Sequence, residues 1–161
     1  MWTQPKSIQR HFELKSGTDV YATLTWQKAF GSLALGRFAG EEITLKRGGF
    51  IRPYVSVRSA PKGQDVALLR MGFGGNGELQ LADGRKYTLQ KLSFWKAQWG
   101  LTAWNGMLLF RIHEKRGILK HTAEVKLDSL LGGPSPNLTK LLVISWYAVM
   151  LIRQEQAAAS T

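Results

Sequence analysis

The sequence predicts a mainly β fold: a closed antiparallel β-barrel of about ten to twelve strands around a hydrophobic C-terminal α-helix. Three observations carry the prediction. Apolar and polar residues alternate in short runs from Asp19 to Asp128, the period of strands with one face buried. Tight-turn residues separate the runs, and a twelve-residue stretch from Leu141 to Ile152 has Ser145 as its one polar member.

Taken in order, Val20, Ala22, Leu24 and Trp26 make one face of the first run, with Tyr21, Thr23, Thr25 and Gln27 on the other. The pattern returns in Ile43 and Leu45, Val55 and Val57, Leu79 and Leu81, and Tyr87 and Leu89. Trp95, Ala97, Trp99 and Leu101 form the next inward set, followed by Leu108, Phe110 and Ile112. The last run places Leu119, His121, Ala123, Val125 and Leu127 together. Between them lie Ser16-Gly17, Gly48-Gly49, Pro61-Lys62-Gly63, Asp83-Gly84, Asn105-Gly106 and Arg116-Gly117, which suit hairpin turns. Connections this short join antiparallel neighbours, giving a barrel or a sandwich.

The pattern breaks at Gly132-Gly133-Pro134-Ser135-Pro136, where Ser135 suits a helix N-cap and Pro136 the first helical position. The helix is expected over about 136–153, ending at Arg153, with 154–161 a frayed tail; residues 1–153 form a single domain. A strand is the rival for the apolar run, but twelve residues exceed a typical strand. A membrane span is another rival. From Leu138 to Ile152 a helix is about 22 Å long, against roughly 30 Å of hydrocarbon. A helix apolar on every side is best enclosed, and a closed barrel both encloses it and removes exposed sheet edges.

The chain has 161 residues, enough for one core, with 22 Lys and Arg against 11 Asp and Glu and a formal charge of +11. That excess favours acidic surfaces: polyanions or anionic membranes. The absence of cysteine excludes disulfides and thiolate metal sites. Met1 to Lys15 holds no uninterrupted apolar stretch of signal-peptide type, so a cytoplasmic location is expected, with peripheral membrane association as its refinement.

With these elements in place, the chain resembles the tubby C-terminal-like superfamily of tubby domains, phospholipid scramblases and LURP-one-related proteins. The resemblance rests on the order of hairpins from Val20 to Ile152, the Gly77–Tyr87 stretch, the Phe94-Trp95 pair and the apolar terminal run. It implies a twelve-stranded barrel around a central helix and a habit of binding acidic phospholipid headgroups. The chain is shorter than a tubby domain and has neither a cysteine cluster nor an acidic calcium-type loop before the helix, so calcium-driven lipid transport is not implied.

No catalytic constellation emerges, and no enzyme, metal site or cofactor is expected. Gly72 to Gly77 satisfies G-x-G-x-x-G, but the following Glu78-Leu79-Gln80-Leu81 alternates as a strand where a dinucleotide site needs a helix. His11, His113 and His121 have no ligand-like spacing; His121 alone falls on an inward face, whereas Glu114 and Glu124 fall outward. The candidate site is instead the loop Gly48-Gly49-Phe50-Ile51 with Lys46, Arg47, Arg52 and Arg58 around it: four cations for an anionic headgroup, and Phe50 and Ile51 for the membrane interface. The expected function is a non-enzymatic module binding acidic phospholipid or a membrane-associated partner. A nucleic-acid binder using the same charge is the alternative. For that role Trp26, Trp95 and Trp99 fall inward, leaving Trp104 as the exposed stacker.

Overall fold

A computed structural model describes residues 1–93, 95–115, 117, 119–133 and 135–160. The expectations for Phe94, Arg116 and Pro134 therefore lie outside the described residues. The chain is a closed barrel of twelve antiparallel strands with one C-terminal helix. The strands are β1 (Trp2–Thr3), β2 (His11–Ser16), β3 (Asp19–Trp26), β4 (Ala34–Phe38), β5 (Glu41–Gly48) and β6 (Tyr54–Ser59). They continue as β7 (Asp65–Met71), β8 (Gly77–Leu81), β9 (Lys86–Ser93), β10 (Gln98–Ala103), β11 (Leu108–Lys115) and β12 (Thr122–Leu127). Each pairs with its chain neighbours, and β1 closes the ring by pairing Trp2 with Leu14 of β2 and with Ala123 of β12.

Helix α1 (Pro136–Ala159) fills the interior. Its start follows the local chemistry: Ser135 Oγ accepts the Leu138 N–H at 3.2 Å, and Pro136 lacks the N–H that a first turn would leave unpaired. Every residue from Leu141 to Ile152 is buried, because the helix has wall on all sides. Among the described residues no helix is long and apolar enough to cross a membrane. The strands place Leu24, Ile43, Leu45, Val57, Leu69 and Leu89 inward against it. Outside, the wall carries Thr23, Arg37, Lys46, Ser56, Arg111 and Lys126, the reverse of the apolar-outward pattern of a spanning barrel.

An aromatic cluster locks the helix in register. Trp2 stacks on Trp146 with ring centroids 5.8 Å apart, Trp26 stacks on Tyr147 at 5.3 Å, and Phe12 meets Trp26 and Trp146 edge-on. At the far end of the helix, Arg153 holds Glu114 of β11 through paired bonds of 2.8 and 2.9 Å, and Trp99 Nε1 donates to the same carboxylate at 2.9 Å.

Several expectations need correction. Two strands, β1 and β2, precede the first alternating run, and they bury Trp2, Phe12 and Leu14. Val20 is half exposed at the start of β3, where the chain leaves the turn. Trp95 does not point inward: Ala97 turns the chain with a φ of 48°, β10 begins at Gln98, and Trp95 is 94% exposed. Leu119 and His121 also precede their strand, which starts at Thr122, and both are exposed. Glu114 is buried, not outward, because Arg153 and Trp99 satisfy it. In β11 a register shift opposite Leu101 and Thr102 buries both Leu109 and Phe110. The helix runs six residues past Arg153, since Arg10 binds Gln154, Arg47 binds Glu155, and the alanines that follow are strong helix formers.

Candidate functional site: one rim of the barrel

In an up-and-down barrel successive connections alternate between the two ends. Helix α1 enters after β12 at one rim and leaves at the other, where Arg153, Gln154 and Glu155 reach Glu114, Arg10 and Arg47. The exit rim therefore gathers the β1–β2, β3–β4, β5–β6, β7–β8, β9–β10 and β11–β12 connections.

The predicted loop lies on this rim. Gly49 makes its turn with a φ of 74°, and a Cβ there would collide with the Arg52 carbonyl oxygen, so only glycine allows the close return. The turn throws Phe50 and Ile51 into solvent, 97% and 88% exposed. Lys46 points outward on β5 and Arg52 leaves the loop beside them, whereas Arg47 folds onto the helix, pairing with Glu155 at 2.5 Å and donating to the Gly49 carbonyl at 3.2 Å. Arg47 is thus a brace between the loop and the helix end. Arg58 does not belong to the site: it sits near the other end of β6 and pairs with Asp65 across the β6–β7 hairpin at 3.2 Å.

The fold adds residues that the linear reading did not join. Ile8 on the β1–β2 connection, Phe30 on β3–β4, Trp95 on β9–β10 and Leu119 on β11–β12 are each at least 75% exposed and share the rim with Phe50 and Ile51. Among the described residues of these connections stand Lys6, Arg10, Lys28, Arg52, Lys96 and Lys120, and no Asp or Glu. Each tip is unremarkable alone as an apolar residue inside a turn. Only the alternation of ends puts them together.

The rim is braced sideways. Arg10 donates to the Ala29 and Gly31 carbonyls at 3.3 and 2.9 Å and to Gln154 at 2.9 Å, tying two connections to the helix end, with its guanidinium 4.6 Å above the Trp26 ring. Partial burial there draws the Arg10 pKa below the ordinary guanidinium value, opposed by nearby Tyr147. Lys120 donates to the Pro5 carbonyl at 2.9 Å, linking the last hairpin to the first connection. The opposite rim differs in charge: its connections carry Lys62 and Arg85 against Asp83 and Asp128, and Arg85 is paired with Asp83 at 2.7 Å. Trp104 is exposed on that opposite rim, so Trp95 and Trp104 lie at different ends of the barrel.

Among the described residues no group of three or more His, Asp or Glu gathers as a metal site. The Gly72–Gly77 segment is the β7–β8 connection and leads into a strand. No protein-family model matches the chain, and neither curated proteins nor solved structures include a significant match to it.

Proposed function

We propose that this protein is a non-enzymatic binding module that associates peripherally with acidic phospholipid surfaces through the exit rim of its barrel. One observation carries the reading: apolar tips on five connections of a single rim, interleaved with cations, in connections that carry no Asp or Glu among their described residues. Single exposed apolar residues are ordinary, but a ring of them on one end marks an interaction surface. Anionic lipid suits both halves of the pattern. Tips of Phe, Trp, Ile and Leu enter the headgroup boundary, and each cation near the surface contributes about 1 kcal/mol. The resemblance to tubby-like domains, with their affinity for phospholipid headgroups, supports the same reading. The filled interior counts against a carrier that holds its ligand inside the barrel. The separation of Trp95 from Trp104 counts against a stacking track for single-stranded nucleic acid.

Co-sedimentation with vesicles of phosphatidylcholine alone and with one third phosphatidylserine tests the proposal. Binding is expected only to the anionic vesicles, weakening with salt. Replacing both Phe50 and Ile51 with Ser is expected to lower the partition at least about tenfold, since each lost insertion costs about 1 kcal/mol or more. Absence of binding at low salt, with a gel shift on duplex or single-stranded DNA in the same buffer, would replace the lipid reading by the nucleic-acid one.

A further inference from the structure

A cleft of about 630 Å³ opens on the outer wall beside the β5–β6 connection, within the range of small-molecule sites. Its walls are apolar: Ile51, Pro53, Tyr54, Leu68 and Met71. Gly72 and two arginines, Arg52 and Arg70, complete the lining. The pairing of these two arginines distinguishes the cleft. Arg37, Arg47, Arg58, Arg85 and Arg153 each hold a carboxylate. The side chains of Arg52 and Arg70 make no ion pair or hydrogen bond with another described residue, although Arg70 stands in register with Glu78 across β7 and β8. The cleft also touches the rim, because Ile51 and Arg52 belong to the loop that carries Phe50.

Two unneutralised forks over an apolar trough match one ligand class. The geometry points to a site for a single anionic amphiphile, a phosphate or carboxylate head held by Arg52 and Arg70 with its alkyl chain along Ile51, Tyr54, Leu68 and Met71. Guanidinium suits either head because its planar donors can meet two oxygens at once. This rests on the membrane reading above for the source of the ligand: a lipid that leaves the bilayer at the rim reaches the cleft without crossing water. The two claims differ in kind. The rim meets a surface, whereas the cleft takes one molecule per chain and saturates.

Calorimetric titration of the intact 161-residue chain with dodecyl phosphate and with dodecanoate, both below their micellar concentrations, tests the site, with inorganic phosphate and dodecyl maltoside as half-ligands. One equivalent of at least one anionic amphiphile should bind, and the tighter of the two identifies the head. Arg70→Gln and Leu68→Glu should each weaken binding at least tenfold while circular dichroism and the melting midpoint of the barrel stay near those of the parent. Equal affinity for inorganic phosphate would show that the trough takes no part, and equal affinity for dodecyl maltoside that the arginines take none; either overturns the inference. So would binding untouched by both substitutions. Vesicle binding without amphiphile binding rejects the cleft and leaves the rim standing, and saturable amphiphile binding without vesicle binding does the reverse.

Discussion

Tyr147 shows how much one side chain depends on the enclosure around it. It is fully buried on the helix, stacked on Trp26, with its hydroxyl donating to the Ser32 carbonyl. Burial pushes its pKa up to about 12, against the opposing pull of the Arg10 and Arg47 guanidinium groups. A folded-state pKa above the unfolded value means that the neutral phenol is the form the fold accepts. The stability tied to it is whole below pH 10 and is lost as pH rises toward 12, by about 2–3 kcal/mol. Chemical denaturation of the parent and of Tyr147→Phe at pH 9 and pH 11.5 measures this. The parent should lose more stability across that interval than the variant, and equal losses would show that the phenol does not titrate with unfolding.

The helix and its wall are matched element to element. Gly36 on β4 faces Val143, and a Cβ there would come within 2.8 Å of Val143 Cγ1 and 3.1 Å of Ile43 Cγ1. Both neighbours are fully buried and β-branched, so neither can swing aside. Gly36→Ala is therefore expected to destabilise by about 1–3 kcal/mol through overpacking. A midpoint shift in urea without a change of slope checks it, and a neutral outcome would mean the helix can shift within the barrel. The same element carries its ends differently. Ser135 and Pro136 start it through local chemistry, whereas Arg10, Arg47 and Glu114 anchor its final turns from three separate places in the chain.

For the molecule as a whole, the helix is the centre of the core and the inward faces of the strands close around it. Val143, Ile144, Trp146, Tyr147 and Val149 have no exposed surface, and a fully buried side chain of this size contributes about 1.5–3 kcal/mol. A chain truncated after Ser135 would leave an apolar trough lined by Trp2, Trp26, Trp99 and the inward leucines open to water. It should aggregate or elute as a large assembly in size-exclusion chromatography, while the full chain stays compact without detergent. A truncated chain that remained a folded β-rich monomer would show that the barrel closes on its own. The charge asymmetry also belongs to this scale: on the proposed reading, a net positive exit rim and a balanced opposite rim would turn the exit rim toward an anionic surface before any contact is made.

Local chemistry determined much of this protein. Period-two alternation in Ile43 and Leu45 or Leu79 and Leu81 reflects strand geometry alone, and a helix from Leu141 to Ile152 that is apolar all round needs a wall on every side. Barrel, central helix and helix start were legible for that reason, as was the Phe50-Ile51 loop with Lys46 and Arg52. Strand β1 was not legible because two residues carry no period, whereas Phe12 and Leu14 of β2 alternate with His11, Glu13 and Lys15 as the later strands do. Where Arg58 and Trp95 point was decided by the tertiary structure, since a hairpin assigns each turn to one end of the barrel and a residue such as Ala97 can interrupt alternation by turning the chain. The rim itself is tertiary as well. Ile8, Phe30, Phe50, Trp95 and Leu119 are separated by long stretches of chain, and only closure of the ring sets their connections side by side.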